Sequence, residues 1–319
     1  MELPNELKLA IERQTVGVPQ SKLRIAAENI SLRYRNETGA GKRLVSTDID
    51  TLVYAIVRMP ATYGAVSSAL TYALDIYSPE IKTALDVGAG MGTATWAIES
   101  TLDSLEKITC VEREQSMISF GKTLMRDSPS MLAKIEWISC DMRDLRLSQK
   151  YDLVVASYAL GELNDTDREK VIEKLWDLTN KFLLIVEPGT PLAFSNLRAA
   201  RTQLINKDAS IIAPCPHSNK CPLSEDDWCH FTCRISRSRL HKQLKGGDAP
   251  YEDEKYAYLV AAREAIPVNC SRILRHPLIE SGRITLKLCT GKGIETRSVT
   301  KKQKDSFKIA RKAKCGDTF

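Results

Sequence analysis

Thr83-Ala-Leu-Asp-Val-Gly-Ala-Gly-Met-Gly-Thr-Ala-Thr-Trp96 decides how this chain is read. Ala84, Leu85 and Val87 suit a short buried strand. Gly88, Gly90 and Gly92 follow at alternate positions, where the backbone can take positive φ and approach a ligand without a Cβ in the way. From Thr93 the residues favour a helix, whose first turn offers free N–H groups to a nucleotide-like cofactor. A dinucleotide fingerprint places glycine at positions one, three and six; here the sixth is Thr93 and the glycines fall at one, three and five.

That spacing after an Asp-ended strand resembles the first motif of class I S-adenosylmethionine-dependent methyltransferases. In that family Asp86 would lie near the methionine end of the cofactor. The next strand, 107–111, ends in Glu112, whose carboxylate can accept hydrogen bonds from both ribose hydroxyls. Cys140, Asp141 and Met142 follow a strand at 134–138 and are placed to meet the adenine. Ser157 closes a fourth strand and completes the expected cofactor set of Asp86, Gly88, Gly90, Gly92, Glu112, Asp141, Met142 and Ser157. The segment Ser157-Tyr-Ala-Leu-Gly-Glu162 stands where many amino-group methyltransferases carry Asn or Asp followed by Pro-Pro and an aromatic residue. That signature is missing, so no catalytic residue is assigned, although Tyr158 and Glu162 should face the reaction centre.

Strands at 84–87, 108–111, 135–138, 153–156 and 182–186 alternate with helical segments, which implies a parallel sheet covered on both faces. The expected fold is therefore α/β, a Rossmann-like methyltransferase sheet. Residues 1–80 read as helical, from apolar positions such as Leu7, Ile11, Leu23, Ile30, Leu52 and Ile56, with a break at Arg58-Met-Pro-Ala-Thr-Tyr63.

The 319 residues are 43% hydrophobic, enough for a substantial core. No apolar run reaches a bilayer span, and Met1-Glu-Leu-Pro-Asn5 lacks the regions of a signal peptide, so the expected address is cytoplasmic, without membrane association. The formal charge of +6 is mild and gathers late in the chain. Nine cysteines without a secretory signal argue against a disulfide framework.

Four of them, Cys215, Cys221, Cys229 and Cys233, fall within nineteen residues of a polar, proline-interrupted stretch. Such a stretch has little core in which to bury free thiols, so ligation leads. Structural zinc sites favour paired Cys-x2-Cys knuckles, which are absent, though His217 or His230 could complete a mixed zinc site. Iron–sulfur clusters accept irregular spacing, and prolines after Cys215 and Cys221 would hold the loop extended around an inorganic core.

Arg58-Met-Pro-Ala-Thr-Tyr63, the glycine loop, Glu187-Pro-Gly-Thr-Pro191, the two Cys-Pro pairs and Trp228-Cys-His-Phe231 together resemble the Rsm-twenty-two family of methyltransferase-like proteins. The likeness spans nearly the whole chain. It implies association with the small ribosomal subunit and its rRNA, S-adenosylmethionine binding, and a 4Fe-4S cluster on Cys215, Cys221, Cys229 and a later Cys289. Cys233 competes for the fourth place on local spacing, and Cys315 is expected to have no metal role. The same likeness gives a helical region at 1–80, a methyltransferase core at 81–190 and 251–290, a cluster-binding insertion at 191–250 and a basic tail at 291–319, with strands at 256–262 and 284–289 closing the main sheet. Basic residues at 234–245 and 301–314 suit phosphate contacts. The expected protein is a monomer that either methylates rRNA or a ribosomal protein, or assists small-subunit assembly without turnover.

Overall fold

The computed structural model describes residues 1–36 and 47–319; positions 37–46, part of the expected helical region, lie outside the described residues. Four helices come first: α1 (Asn5–Gln14), α2 (Gln20–Asn36), α3 (Asp48–Val57) and α4 (Met59–Leu74). The Thr47 side chain caps α3 by accepting from Asp50 N. The expected break at 58–63 narrows to Arg58 alone, because Pro60 falls in the first turn of α4, where its missing N–H costs nothing. Met59, Ala61, Ala65, Val66 and Ala69 of α4 are fully buried, which makes α4 a core helix lying on the sheet rather than a surface appendage.

A doubly wound sheet follows: β1 (Thr83–Val87), α5 (Thr93–Glu99), β2 (Lys107–Glu112), α6 (Gln115–Met125), α7 (Pro129–Lys134), β3 (Ile135–Ser139), β4 (Tyr151–Ser157), α8 (Asp165–Asp177), β5 (Thr179–Pro188), α9 (Pro191–Ile205) and β6 (Ser210–Ala213). All seven residues of β4 are buried, as a central strand covered on both faces requires. β7 (Phe231–Ser236), α10 (Arg239–Lys245) and β8 (Tyr251–Ala262) complete this layer. The order is β3-β2-β1-β4-β5-β8-β6, with β8 antiparallel to both of its neighbours and β7 paired to its first half. Strands β1 to β5 run parallel. This is the Rossmann-like, doubly wound α/β sheet that the glycine loop implied.

A second, antiparallel sheet is built from β9 (Arg272–Ile273), β10 (Leu278–Glu280), β11 (Arg283–Thr290) and β12 (Gly293–Thr300), with α11 (Lys304–Lys312) against it. Ile273, Ile284, Leu286, Leu288, Val299 and Ala310 form its own small core. Two expected boundaries are thereby corrected. Strand 284–289 leaves the main sheet, because β11 finds antiparallel partners in β12 and β9. The segment 191–250 is no separate insertion, since α9 packs on the main sheet and β6 and β7 both pair with β8. Residues 291–319 likewise fold as a hairpin strand and a helix rather than a free tail. No described helix is long and apolar enough to cross a membrane.

Candidate functional site

A cavity of about 580 Å³ opens at the carboxyl ends of β1, β2, β4 and β5, where doubly wound sheets bind their ligands. Its floor is the loop after β1. Gly88 N and Ala89 N donate to Val111 O at 2.9 and 3.0 Å, which draws the loop over β2. Gly88, Gly90 and Gly92 take φ of +70°, +56° and +83°. At Gly90 a Cβ would meet nothing within 4 Å, so this backbone is the one that lies open to a ligand. At Gly88 the same atom would come within 2.6 Å of the Ala159 side chain, and at Gly92 within 2.4 Å of Met125. Those two glycines serve close packing of the loop on its neighbours.

Six of the eight residues read from the sequence line this cavity: Gly88, Gly90, Glu112, Asp141, Met142 and Ser157. Glu112 holds the loop, accepting from Gly90 N and Glu114 N at 2.8 Å each. Asp141 accepts from Arg143 Nε at 2.9 Å and Nη2 at 2.7 Å, and these donors hold its carboxyl down at about 2. Gly92 and Asp86 are not in the wall. Asp86 is wholly buried beneath α5, where one carboxylate oxygen accepts from Thr95 N at 3.1 Å and Thr95 Oγ1 at 2.8 Å while the other has no partner among the described residues. Burial pushes this carboxyl up to about 7.

The far end of the cavity holds Tyr158 and Glu162, which the sequence led one to expect there, together with Arg58 and Glu187. Tyr158 takes φ of +54°, a left-handed conformation costly for a bulky side chain. Its hydroxyl donates to Glu254 Oε1 at 3.0 Å, and Arg58 Nη2 donates to the same oxygen at 3.3 Å. This triad ties the junction of α3 and α4, the end of β4 and strand β8 together at the cavity wall. Arg58 stood inside a quoted motif, but only the tertiary structure brings it to Glu254. Glu187 is buried at the end of β5, accepts from Leu160 N at 3.0 Å, and is pushed up to about 7 by that burial. Glu162 also lines the cavity, with Arg113 at 3.6 Å.

A second, much smaller cavity of about 40 Å³ is lined by Cys215, Cys221, Cys229 and Cys289 together. Cys215 follows β6, Cys221 and Cys229 lie on the loop before β7, and Cys289 comes from β11, so the second sheet and the main sheet meet here. Phe194, Leu223 and Leu274 pack around the thiols. The loop is held from outside: Asp227 accepts from Lys287 Nζ at 2.7 Å and pairs with Arg275, and Trp228 Nε1 donates to Gly189 O at 3.0 Å. Cys233 does not join the group. It sits on β7 against α4, where a Cβ on Gly64 would stand 3.2 Å from its sulfur. His230 stacks on Trp228 at 5.1 Å, whereas His217 Nε2 lies 3.6 Å from Cys289 Sγ. Cys315 donates to Leu274 O at 3.2 Å and is not part of the wall. Among the described residues, no three His, Cys, Asp or Glu side chains are arranged to hold a single metal ion. The donor set is four thiols, with the sulfur chemistry that iron–sulfur cores require.

The two basic segments fare differently. Arg234 pairs with Asp253 at 2.7 Å, and Arg237 and Lys245 both pair with Glu252, so three of the five basic residues of the first segment are paired within the protein. In the second, exposed Lys301, Lys302, Lys304, Arg311, Lys312 and Lys314 have no carboxylate partner among the described residues.

This chain is similar to human "Ribosome assembly protein METTL17, mitochondrial", at 28% identity over 97% of this chain and 70% of that protein. It is similar at 22% identity to "Ribosome assembly protein RSM22, mitochondrial" of Saccharomyces cerevisiae, over 76% of this chain and 57% of that one. Among solved structures it aligns with magnesium protoporphyrin IX methyltransferase from Synechocystis at 13% identity and a TM-score of 0.42, over 76% of this chain and 97% of that one. The cytoplasmic address expected from the amino terminus is overturned by the two named relatives, both of which are mitochondrial proteins. The family model described as "Mitochondrial small ribosomal subunit Rsm22" matches residues 48–319, and the chain belongs to that family.

Proposed function

We propose that this protein is an assembly factor of the mitochondrial small ribosomal subunit that binds S-adenosylmethionine at the glycine loop and rRNA through its carboxyl-terminal basic face. The observation that carries the reading is the 580 Å³ cavity, whose wall brings together the open Gly90 backbone, Glu112 and the Asp141–Met142 segment. The names of the relatives supply the ribosomal context.

In this reading Gly90 gives the cofactor close access to the backbone, and Glu112 exchanges a loop contact for a ribose hydroxyl. Asp141 and Met142 bound the adenine. S-adenosylmethionine, when bound, supplies a sulfonium-activated methyl group. Transfer from it would rest on alignment of the acceptor. The Tyr158 hydroxyl already donates to Glu254, and both stand in a network with Arg58, so this tyrosine walls the acceptor end rather than taking a proton. For that reason recognition of the immature subunit is favoured over turnover.

We further propose that Cys215, Cys221, Cys229 and Cys289 hold a 4Fe-4S cluster. Four thiols suit either zinc or an iron–sulfur core, and the irregular spacing without paired Cys-x2-Cys knuckles favours the cluster. The cluster would clamp the polar 215–229 loop to β11 and supply folding free energy that the loop lacks.

The test is calorimetry with S-adenosylhomocysteine on wild type and Gly90→Arg, with iron and sulfide measured on the same anaerobic preparation. The reading expects binding only by wild type, and brown protein whose iron is lost in Cys289→Ser but kept in Cys233→Ser. Equal binding by both proteins, or by neither, refutes the cofactor site. Stoichiometric zinc without iron or sulfide refutes the cluster. Absence of small-subunit RNA from particles co-purified at low salt refutes the ribosomal assignment.

A further inference from the structure

The wall of the four-cysteine cavity carries polar capacity that the protein leaves unused. Arg201, on α9, is only 5% exposed; its Nη2 donates to His217 O at 2.7 Å, yet its Nε has no partner among the described residues. Tyr258, on β8, is 3% exposed, and its hydroxyl has no partner either. Both side chains line the cavity beside the thiols. Buried donors are almost always satisfied, so two in the wall of one cavity point to an acceptor that belongs between them.

Charge points the same way. Arg272 is 2% exposed and is fixed by Pro214 O at 3.1 Å and Gly316 O at 2.6 Å, with its guanidinium 5.3 Å from the Tyr72 ring centre. Neither Arg201 nor Arg272 has a carboxylate partner among the described residues. Buried guanidinium groups are normally matched by an anion. Arg201 and Tyr258 thus line the cavity with the four thiols, and Arg272 is buried against Pro214, the neighbour of Cys215, an environment complementary to an anion held by those sulfurs.

We infer that Arg201 and Tyr258 donate hydrogen bonds to the sulfur atoms of the iron–sulfur cluster proposed above and, with the Arg272 charge, poise it as a one-electron redox centre. The inference rests on the cluster reading. Four thiolates on a core of charge 2+ leave a net charge of about −2, and uptake of one electron from a low-potential donor takes it to about −3. No bond is made or broken. Donors and cations stabilise the more negative, reduced state, so they raise the reduction potential; a purely mechanical clamp would need neither.

Full-length protein purified anaerobically would be titrated with dithionite and followed by electron paramagnetic resonance, for wild type, Tyr258→Phe, Arg201→Gln and Arg201→Lys. Tyr258→Phe removes only the hydroxyl and should retain wild-type iron, with its reduction equilibrium about tenfold less favourable, a fall of about 59 mV for one electron. Arg201→Gln should fall at least as far, and Arg201→Lys should recover part of the loss because it keeps the charge. Iron-loaded variants with the wild-type midpoint would overturn the inference and leave the cluster reading standing. Wild-type protein without iron would overturn both. If Arg201→Gln fails to fold, Tyr258→Phe alone decides the matter.

Discussion

Asp86→Asn is the substitution whose effect can be worked most closely from the structure. The carboxyl is wholly buried, both bonds from Thr95 go to one oxygen, and the other oxygen has no partner among the described residues. Burial raises it from 3.8 to about 7. The folded protein therefore holds a proton that the unfolded chain gives up from about pH 4 upward, and folding loses stability as pH rises from there until the folded group ionises near 7. The full penalty is roughly 4 kcal/mol, since each tenfold change in proton affinity is worth about 1.4 kcal/mol. Between about pH 5.5 and 8.5 it should grow by about 2 kcal/mol. Asparagine can accept the Thr95 bonds through its amide oxygen and carries no charge to bury. Urea unfolding of both proteins at the two pH values isolates this contribution, because every other titrating group cancels in the difference. Wild type should lose about 2 kcal/mol relative to Asp86→Asn over that interval. Parallel pH profiles would refute the reasoning and mean that Asp86 is ionised and solvated by rearrangement of the β1 loop.

Two more outcomes follow from the geometry. Gly90→Ala meets open space and should cost only the left-handed backbone strain, about 1 kcal/mol, whereas Gly92→Ala adds the Met125 collision and should cost about 2–3 kcal/mol by thermal unfolding; equal losses would show that space does not distinguish the two positions. Glu252 is destabilised by burial, but Lys245 and Arg237, which donate to it, outweigh this and hold its carboxyl below the usual range. Glu252→Gln should thus cost about 1–3 kcal/mol near neutrality, with the difference from wild type shrinking as pH falls below about 4, and a difference independent of pH by urea titration would contradict the pairing.

Local pattern made much of the main sheet legible. Strands β1, β2, β4 and β5 occur where runs of buried residues end in turn-forming or acidic residues, and the glycine spacing announced the cavity because positive φ at alternate positions has few other uses. A break within 58–63 was readable as well, and the structure narrows it to Arg58 because proline is tolerated in the first helical turn.

Pairing partners were not legible in this way. The sequence by itself determined the glycine loop, its acidic distal residue Glu112 and a thiol-rich segment with a surplus cysteine, since each is a property of consecutive residues. Which cysteine stands with the other three was decided by the tertiary structure. β11 finds its hydrogen-bond partners in β12 and β9, so Cys289 is carried to the 215–229 loop, while β7 pairs with β8 and turns Cys233 onto α4. The same long-range pairing sets Glu254 beside Arg58 and Tyr158, and places Arg201 and Tyr258 around the thiols. Strand partnership depends on which edges and faces remain to be covered once the whole chain has collapsed, and that information is spread over residues far apart in the chain rather than written in any one window.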